Sequence, residues 1–239
     1  MNDPSADPSL ADWLHLHEDL AQLVAHDLRN PLQAIIANAS FLDDPFHPSE
    51  QEMRETVADI RSSADVLLRL IENTVAIARL EAPSGAATPR SAVSLLAAAE
   101  SAVARCAPSA AGADVVLALE AGDSARVMAD PQLLELMIQN MVTNALHHSR
   151  RRNSVTVRVD REAGRSAVAV IDQGPAFGAY AQHFTREAQV AIKFQPEGRY
   201  SRGLGLYLIG LVSRAFDGTI ETSRDGTRTV LRVWFPASA

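Results

Sequence analysis

The chain has 239 residues, and its 22 basic and 29 acidic residues leave a formal net charge of -7, so it is long enough for one or two domains. The acidic balance argues against a nucleic-acid partner held by a general basic field, and no apolar run approaches the ~20 residues of a membrane span. The single cysteine, Cys106, excludes an internal disulfide and a cysteine-built zinc site. We expect a cytoplasmic protein, because the polar and acidic first residues are unlike a signal peptide.

The first two predicted elements are long amphipathic helices. Apolar residues recur at three- and four-residue steps over 9–44, which predicts a helix that Pro31 should kink. Ser49 with Glu52 is typical of a capping box that starts a second helix. That helix carries a heptad seam formed by Met53, Val57, Ile60, Ala64, Leu67, Ile71, Thr74 and Ala78. A hairpin with so much apolar surface needs a partner, and a two-fold dimer forming a four-helix bundle would provide one.

The second half of the chain shows a mixed pattern of helices and strands. Asp130 followed by Pro131 is typical of a helix start, with an N-cap and a proline in the first turn. The predicted elements are helix 93–106, strand 115–119, helix 133–148, strands 154–159 and 167–171, helix 204–216, and strands 218–223 and 229–235. We predict turns at Ala163-Gly164 and Asp225-Gly226. This order favours an α+β sandwich, with helices covering one face of a sheet.

The first helix contains a group of residues suited to nucleophilic chemistry. His26 and Asn30 stand one helical turn apart on the same face, and Asp27 is close enough to orient the imidazole or to accept its proton. A histidine activated in this way is a candidate nucleophile, and the amide of Asn30 is suited to hold a water molecule. The alternative interpretation is a solvated polar face on a bundle helix.

Two asparagines lie one turn apart on the helix that follows Asp130. Asn140 and Asn144 offer amide oxygens, which suit a hard cation and phosphate groups without adding negative charge. The alternative is a polar solvent-facing pair, although the neighbouring residues are apolar and buried amides need hydrogen-bond partners.

Two glycine-containing motifs complete the candidate site. Asp172 ends a predicted buried strand, where it is suited to accept a hydrogen bond from an exocyclic amine, and Gly174 would let a ring approach the backbone. Gly203 and Gly205 stand at the opening of the predicted helix at 204, where their amides would be available to phosphate. Taken alone, the first motif also suits an ordinary turn, and the second is weak evidence.

Taken together and in this order, these motifs resemble the catalytic core of two-component sensor histidine kinases. The resemblance covers about residues 20–236. The segments at 26–32, 140–145, 172–175 and 203–206 are similar to the phosphoacceptor box, the N box and the two glycine boxes of that family. The segment His183-Phe184-Thr185-Arg186 stands where the family has an aromatic box in its ATP lid.

The resemblance implies a two-domain α+β fold. Residues 1–82 would form a dimerisation and histidine phosphotransfer domain, in which a helical hairpin dimerises into a four-helix bundle. Residues 83–90 would be a linker, and residues 91–239 a catalytic domain with the sandwich fold shared by histidine kinases and gyrase-type ATPases.

The resemblance also implies a mechanism that uses ATP and Mg²⁺. Asp172 would recognise the adenine amine, the two asparagines of the N box would hold Mg²⁺, and the backbone of the second glycine box would cradle the phosphates. His26 would attack the γ-phosphate with Asp27 as base, and the phosphoryl group would pass to an aspartate on a response regulator. Asn30 stands where the family places a residue that orients water for the reverse, phosphatase reaction.

Several residues depart from the family pattern. Ala176 and Ser201 stand where glycines are usual, at positions that we expect to need positive φ, and His147 replaces a cation near the phosphates. These changes predict weaker ATP binding. Lys193 is the only lysine, and we expect it to contact phosphate, with Arg199 or Arg202, when the lid closes. The alternative is a solvated lid residue.

Three functions remain open at this point. An active histidine kinase is the leading one. The second is a phosphotransferase or scaffold with a degenerate ATP site, and the third is a serine kinase or other ATPase of the same fold. The N box and glycine boxes count against the second, and the His26 segment counts against the third. Because few residues precede the predicted bundle, we expect a separate sensor protein to deliver the signal, or a dedicated phosphotransfer role.

Overall fold

The structure is a computed structural model that describes residues 10–43, 49–82, 89–122, 126–175, 184 and 201–238. Backbone contacts divide the chain into two compact units, residues 1–71 and residues 72–239. The division falls inside the second long helix, so the last part of that helix belongs to the second unit. The functional domain boundaries at 82 and 91 stay a prediction.

Two long helices make up the hairpin that the periodicity predicts. Helix α1 spans Leu10–Leu42 and continues through Pro31, and helix α2 spans Glu50–Glu81. The predicted capping box is confirmed, since Ser49 N donates to Glu52 Oε2 at 2.8 Å and Glu52 N donates to Ser49 Oγ at 3.3 Å. Hydrogen bonds from the hydroxyl and the backbone N–H of Ser49 hold the pKa of the Glu52 carboxyl below its usual value.

Large apolar side chains of the first unit stay at the surface of a single chain. Among the side chains that the structure describes in this unit, the exposed ones are Leu32, Ile36, Phe41, Met53, Val57, Leu68 and Ile71. Three of them, Met53, Val57 and Ile71, belong to the predicted heptad seam, and they are 41%, 41% and 50% exposed. Exposed apolar residues along a heptad seam are typical of a helix-helix interface.

The second unit is built on a seven-stranded mixed sheet. Its elements are β1 (Ser91–Ser94), α3 (Leu95–Gly112), β2 (Val116–Ala121), β3 (Arg126–Ala129), α4 (Pro131–His148), β4 (Ser154–Glu162), β5 (Arg165–Asp172), α5 (Ser201–Ala215), β6 (Thr219–Asp225) and β7 (Arg228–Ser238). The strand order is β1-β3-β7-β5-β4-β2, and β6 also pairs with β7. β2 and β4 run parallel, and the other pairs are antiparallel. The predicted α+β class is confirmed.

The register of β5 determines which polar side chains meet at one end of the sheet. The turn between β4 and β5 is where the sequence predicts it, with Ala163 and Gly164 at φ of 46° and 79°, as a tight hairpin requires. From this turn β5 runs antiparallel to β7 and ends with Asp172 opposite Thr229. The hairpin therefore fixes the position of one candidate site residue.

The core of the second unit lies between its helices and the sheet. Helices α3, α4 and α5 all contact strands. Their largest fully buried side chains are Leu95, Leu134, Met137, Ile138, Met141, Leu204, Leu208 and Ile209. Burying a side chain of this size is worth about 1.5–3 kcal/mol, so the orientation of α4 and α5 is set by their apolar faces.

Two short strands and one helix boundary differ from the prediction. β1 and β3 pair with each other, and the sequence reasoning missed both because four residues carry too little periodicity. Helix α3 therefore begins at Leu95 and not at residue 93. Ser94 forms its N-cap, accepting a hydrogen bond from Ala97 N at 3.2 Å. In the described part of the chain, no helix combines the length and hydrophobicity that crossing a bilayer demands.

Candidate functional site

A buried carboxylate marks one end of strand β5. Asp172 is 6% exposed, and burial raises the pKa of its carboxyl above the usual value, although the N–H of Gly174 and the charge of Arg224 offset part of this effect. The Asp172 carboxylate accepts a hydrogen bond from the Gly174 N–H. A Cβ atom at position 174 would lie 2.6 Å from Asp172 Oδ1 and 2.8 Å from the Cβ atom of His148. Position 174 therefore requires glycine.

Two residues of the β6–β7 hairpin support this turn. The Thr229 hydroxyl donates to the Gly174 carbonyl at 3.1 Å, and Arg224 Nη1 donates to the same oxygen at 3.4 Å. Thr229 is 1% exposed, and the sequence reasoning missed both residues. The signal in the sequence is a threonine beside the apolar residues of the strand, and its partner follows from the β5–β7 register.

The fit of this turn to ATP can be tested on its chemistry. A desolvated carboxylate accepts a hydrogen bond from an amine more strongly than a hydrated one does. A position that admits only glycine lets a flat ring lie close to the backbone. Asp172 and Gly174 therefore fit the adenine end of ATP.

Helix α4 begins as the sequence predicts. Asp130 Oδ1 accepts hydrogen bonds from Gln132 N at 2.9 Å and Leu133 N at 3.1 Å, and Pro131 follows the cap. Asp130 Oδ2 also lies 3.1 Å from Arg79 Nη2 at the end of α2. The cap fixes the start of the helix that carries the two asparagines.

The two asparagines of α4 have different surroundings. Asn140 is 6% exposed. Its Nδ2 donates to Leu136 O and to Asn73 Oδ1, each at 2.8 Å, and its Oδ1 accepts from Asn73 Nδ2 at 2.8 Å. Asn144, one turn further on, is half-buried. The amide oxygen of Asn140 is therefore already engaged, and Asn73 was not among the residues that the sequence reasoning selected.

The second glycine box lies within the first two turns of helix α5. The helix begins at Ser201, so the predicted start at 204 is wrong. Gly205 is in its second turn, where an N–H bonds to the helix's own carbonyl and is not free for phosphate. The backbone at Ser201 is helical, so the positive φ expected there is also wrong. Gly203 is in the first turn, where N–H groups have no partner within the helix.

Gly205 has a packing role beside Asn140. A Cβ atom at position 205 would lie 2.7 Å from Asn140 Oδ1. The oxygen thus has the Asn73 amide and the α5 backbone against it, which leaves little room for a metal ion. In this conformation Asn140 does not fit as a Mg²⁺ ligand, whereas the half-buried Asn144 does. Among the described residues, no group of three His, Cys, Asp or Glu side chains offers a metal site.

The predicted phosphoacceptor residues lie in the middle of α1. Asp27 is 5% exposed and Asn30 is exposed. His26 belongs to the same helical turn as Asp27, and its side chain lies outside the described residues.

The remaining predicted residues are only partly described. His147 is exposed in the last turn of α4, whereas Lys193 and Ala176 lie outside the described residues. Phe184, from the predicted aromatic box, is 6% exposed, and its carbonyl accepts from Arg214 Nη1 at 3.0 Å.

Two family models match the chain and together cover about three quarters of it. Residues 16–83 match the His Kinase A (phospho-acceptor) domain, and residues 129–239 match the histidine kinase-, DNA gyrase B- and HSP90-like ATPase. The fold and the two matches define a protein with a phosphoacceptor hairpin and an ATP-binding sandwich. The chain belongs to the two-component histidine kinases, whose ATP-dependent catalytic core it contains.

Curated relatives are sensor kinases of greater length. The chain is 28% identical over 221 residues to the sensor protein IrlS of Burkholderia pseudomallei, covering 90% of this chain and 46% of that protein. It is 31% identical over 224 residues to the sensor protein KdpD of Mycobacterium tuberculosis, covering 87% of this chain and 24% of that protein. The chain therefore spans less than half the length of these relatives.

Solved structures share the fold. Histidine kinase AdeS of Acinetobacter baumannii has a TM-score of 0.57 at 17% identity, covering 90% of this chain and 98% of that one. Full-length ShkA in complex with AMPPNP has a TM-score of 0.57 at 21% identity, covering 93% of this chain and 46% of that one.

Proposed function

We propose that this chain phosphorylates itself on His26 from ATP and passes the phosphoryl group to an aspartate of a response regulator. The observation that carries the proposal is the buried Asp172 beside the glycine-only position 174, in a chain whose hairpin matches a phosphoacceptor domain. A site of this kind supplies the phosphoryl donor, and the histidine supplies the acceptor.

Nucleotide recognition starts at the end of β5. Asp172 accepts a hydrogen bond from the exocyclic amine of adenine, and Gly174 leaves space for the ring. Thr229 and Arg224 hold the turn in place through the Gly174 carbonyl. When Mg²⁺ is bound, it neutralises charge on the phosphates, and Asn144 is the described residue of the N box that fits it.

Phosphoryl transfer uses the residues of α1. One ring nitrogen of His26 attacks the γ-phosphorus, the bond to the bridging oxygen breaks, and ADP leaves with its electron pair. Asp27 takes the proton from the other ring nitrogen. A receiver aspartate then attacks the phosphohistidine, and Asn30 holds water for the reverse, phosphatase reaction.

The partners follow from the surface of the hairpin. The exposed seam of α2 supports a homodimer, since an apolar stripe sustained over several heptads is stabilised by a second helical pair. We place the protein in the cytoplasm, where receiver domains and ATP are available.

Incubation of the purified protein with γ-labelled ATP and Mg²⁺ tests the proposal. We expect acid-labile, alkali-stable label on the wild type, and at least ~1,000-fold less on His26→Gln, because the substitution removes the nucleophile. His26→Gln should still bind ATP, since the nucleotide residues lie on β5 and α4. Labelled His26→Gln would show that the nucleophile is another residue.

Asn30→Ala serves as the matched control on the same helical face. It should keep autophosphorylation within about twofold of wild type and slow dephosphorylation of the regulator, because water positioning is needed only for the reverse reaction. Equal loss of both reactions would place Asn30 in the transfer step itself.

One observation favours a second function. The amide oxygen of Asn140 is engaged by Asn73, as expected for a phosphotransferase or scaffold with a degenerate ATP site. Such a protein would show no ATP binding by calorimetry, yet would accept a phosphoryl group on His26 from a phosphorylated receiver. ATP binding in the micromolar range would exclude this alternative.

A further inference from the structure

The last residues of α2 are held against the elements that carry the nucleotide site. Residues 72–81, called the latch segment below, belong to the same compact unit as the sheet. Three of its residues, Asn73, Ala76 and Ile77, are 4%, 6% and 0% exposed. Their spacing places them on one face of the helix, so this face is buried within the unit and the opposite face carries Val75, which is 62% exposed.

Polar contacts at both ends hold the latch segment. At its start, Glu72 Oε1 lies 3.2 Å from Arg105 Nη2 of α3. Near its end, Arg79 pairs with Asp130 at the start of α4, and the Tyr207 hydroxyl of α5 donates to Glu81. Three helices of the sandwich thus each contribute a polar partner.

The centre of the latch segment is the Asn73–Asn140 pair. Each amide donates to the oxygen of the other at 2.8 Å, and the second N–H of Asn140 donates to Leu136 O. Both N–H groups of Asn140 are therefore used. The α5 backbone at Gly205 lies against its oxygen, so the side chain has to leave Asn73 before its oxygen meets a cation.

We propose that the latch segment is an autoinhibitory element in which Asn73 competes with Mg²⁺–nucleotide for the amide oxygen of Asn140. The proposal rests on the proposed function, because it assumes that the N box receives Mg²⁺–ATP. In the latched state the amide of Asn140 is buried and hydrogen-bonded. In the nucleotide-bound state the latch segment has to move away from it. Because the two states exclude each other, binding affinity is reduced by the latched fraction.

Nucleotide affinity of the full chain tests the competition. Asn73→Ala removes the competing donor and acceptor, and we expect the Kd for Mg²⁺–ATP measured by calorimetry to fall about fivefold or more. In excess EDTA the Kd values of wild type and Asn73→Ala should become equal, because the Asn140 oxygen contacts the nucleotide through the metal ion. Val75→Ala is the matched control on the exposed face of the same turn, and its Kd should equal that of wild type.

Hydrogen exchange of the wild type gives a second measurement that needs no variant. Amides of residues 72–81 should exchange faster after addition of Mg²⁺ and AMPPNP, because the latch opens. Unchanged or slower exchange would overturn the proposal even where Asn73→Ala folds poorly.

The outcomes separate this proposal from the proposed function. If wild type and Asn73→Ala bind Mg²⁺–ATP equally, or if the gain is the same in EDTA, the competition is wrong while the kinase assignment stands. If neither protein binds ATP, the proposed function fails and the latch fails with it. A Mg²⁺-dependent gain confined to Asn73→Ala supports the competition.

Discussion

The helical hairpin of residues 10–71 and the sandwich of residues 72–239 bury apolar side chains to opposite degrees. In the hairpin, Met53, Val57 and Ile71 are 41–50% exposed, whereas Ile77, only six residues further along the same helix, is fully buried. Ile77 is not a member of the heptad seam, so α2 carries two different apolar surfaces, one exposed and one buried. The difference shows that apolar residues on a helix identify a contact surface, and that a partner within the same chain buries only the second of these surfaces.

The largest expected effect tests whether the hairpin depends on a second chain. Leu67→Asp places a charge in a half-buried seam position, and two-fold symmetry would repeat it, so we expect the dimer Kd to rise by more than ~1,000-fold. Light scattering at micromolar concentration measures it. Ser62→Asp, at an exposed position outside the seam, should stay dimeric. If the wild type is monomeric, no second chain covers the seam, and the explanation given for the exposed side chains of the hairpin is wrong.

The second prediction concerns the buried carboxylate of the sandwich. Asp172→Asn should weaken ATP binding by about 100-fold, because an amide presents a different hydrogen-bond pattern to the adenine amine. Calorimetry of both proteins measures the loss, and His26→Gln is the control whose affinity should not change. Equal affinity of Asp172→Asn and wild type would remove Asp172 from the nucleotide site.

The same substitution should stabilise the fold at neutral pH. Because the folded pKa of Asp172 is raised, the folded state binds this proton more tightly than the unfolded state, and ionisation costs stability as the pH rises through that pKa. Asp172→Asn removes this cost, so its Tm should exceed that of wild type at pH 7. The gain should vanish below about pH 4, where the carboxyl is protonated in both states. Thermal unfolding at both pH values checks the sign.

The third prediction tests how tightly the sandwich is packed. A Cβ atom at Gly210 of α5 would lie 2.1 Å from the Phe184 carbonyl, whereas one at Gly112 of α3 meets nothing within 4 Å. Gly210→Ala should therefore cost about 1–3 kcal/mol of unfolding free energy. Gly112→Ala, the matched control, should be neutral or gain up to about 1 kcal/mol from helix propensity. Denaturant titration measures the unfolding free energy of both variants. Equal values would show that the Phe184 backbone can move away from a Cβ atom at position 210 without loss of stability.

The smallest expected effect concerns the start of α2 in the hairpin. Ser49→Ala removes the cap and should cost about 1 kcal/mol at neutral pH, seen as a lower unfolding midpoint by circular dichroism. The pKa of Glu52 is lowered in the folded state, so its ionised carboxylate stabilises the fold at pH values above the usual carboxyl pKa. This stabilisation is lost as the pH falls through the folded pKa. The difference from wild type should therefore narrow in acid. Ser62→Ala, in the middle of α2, is the control.

Local chemistry in the sequence predicted most of the architecture. The capping box at Ser49, the N-cap at Asp130 and the turn at Ala163-Gly164 were confirmed, because each depends on residues within a few positions of one another. The four motifs predicted the family, and the two family models confirmed it. The short strands β1 and β3 were missed, since pairing with each other and with β7 stabilises them.

Only the tertiary structure decided what surrounds each functional side chain. The sequence placed Asn140 and Asn144 on one helical face, yet Asn73, 67 positions away from Asn140, engages one of them. It placed Asp172 at a strand end, but the support from Thr229 follows from the β5–β7 register. Hydrogen bonds within a helix or turn are set by nearby residues, whereas these depend on how distant segments pack. The sequence thus determined which residue types are available, and packing determined which of their atoms are already engaged.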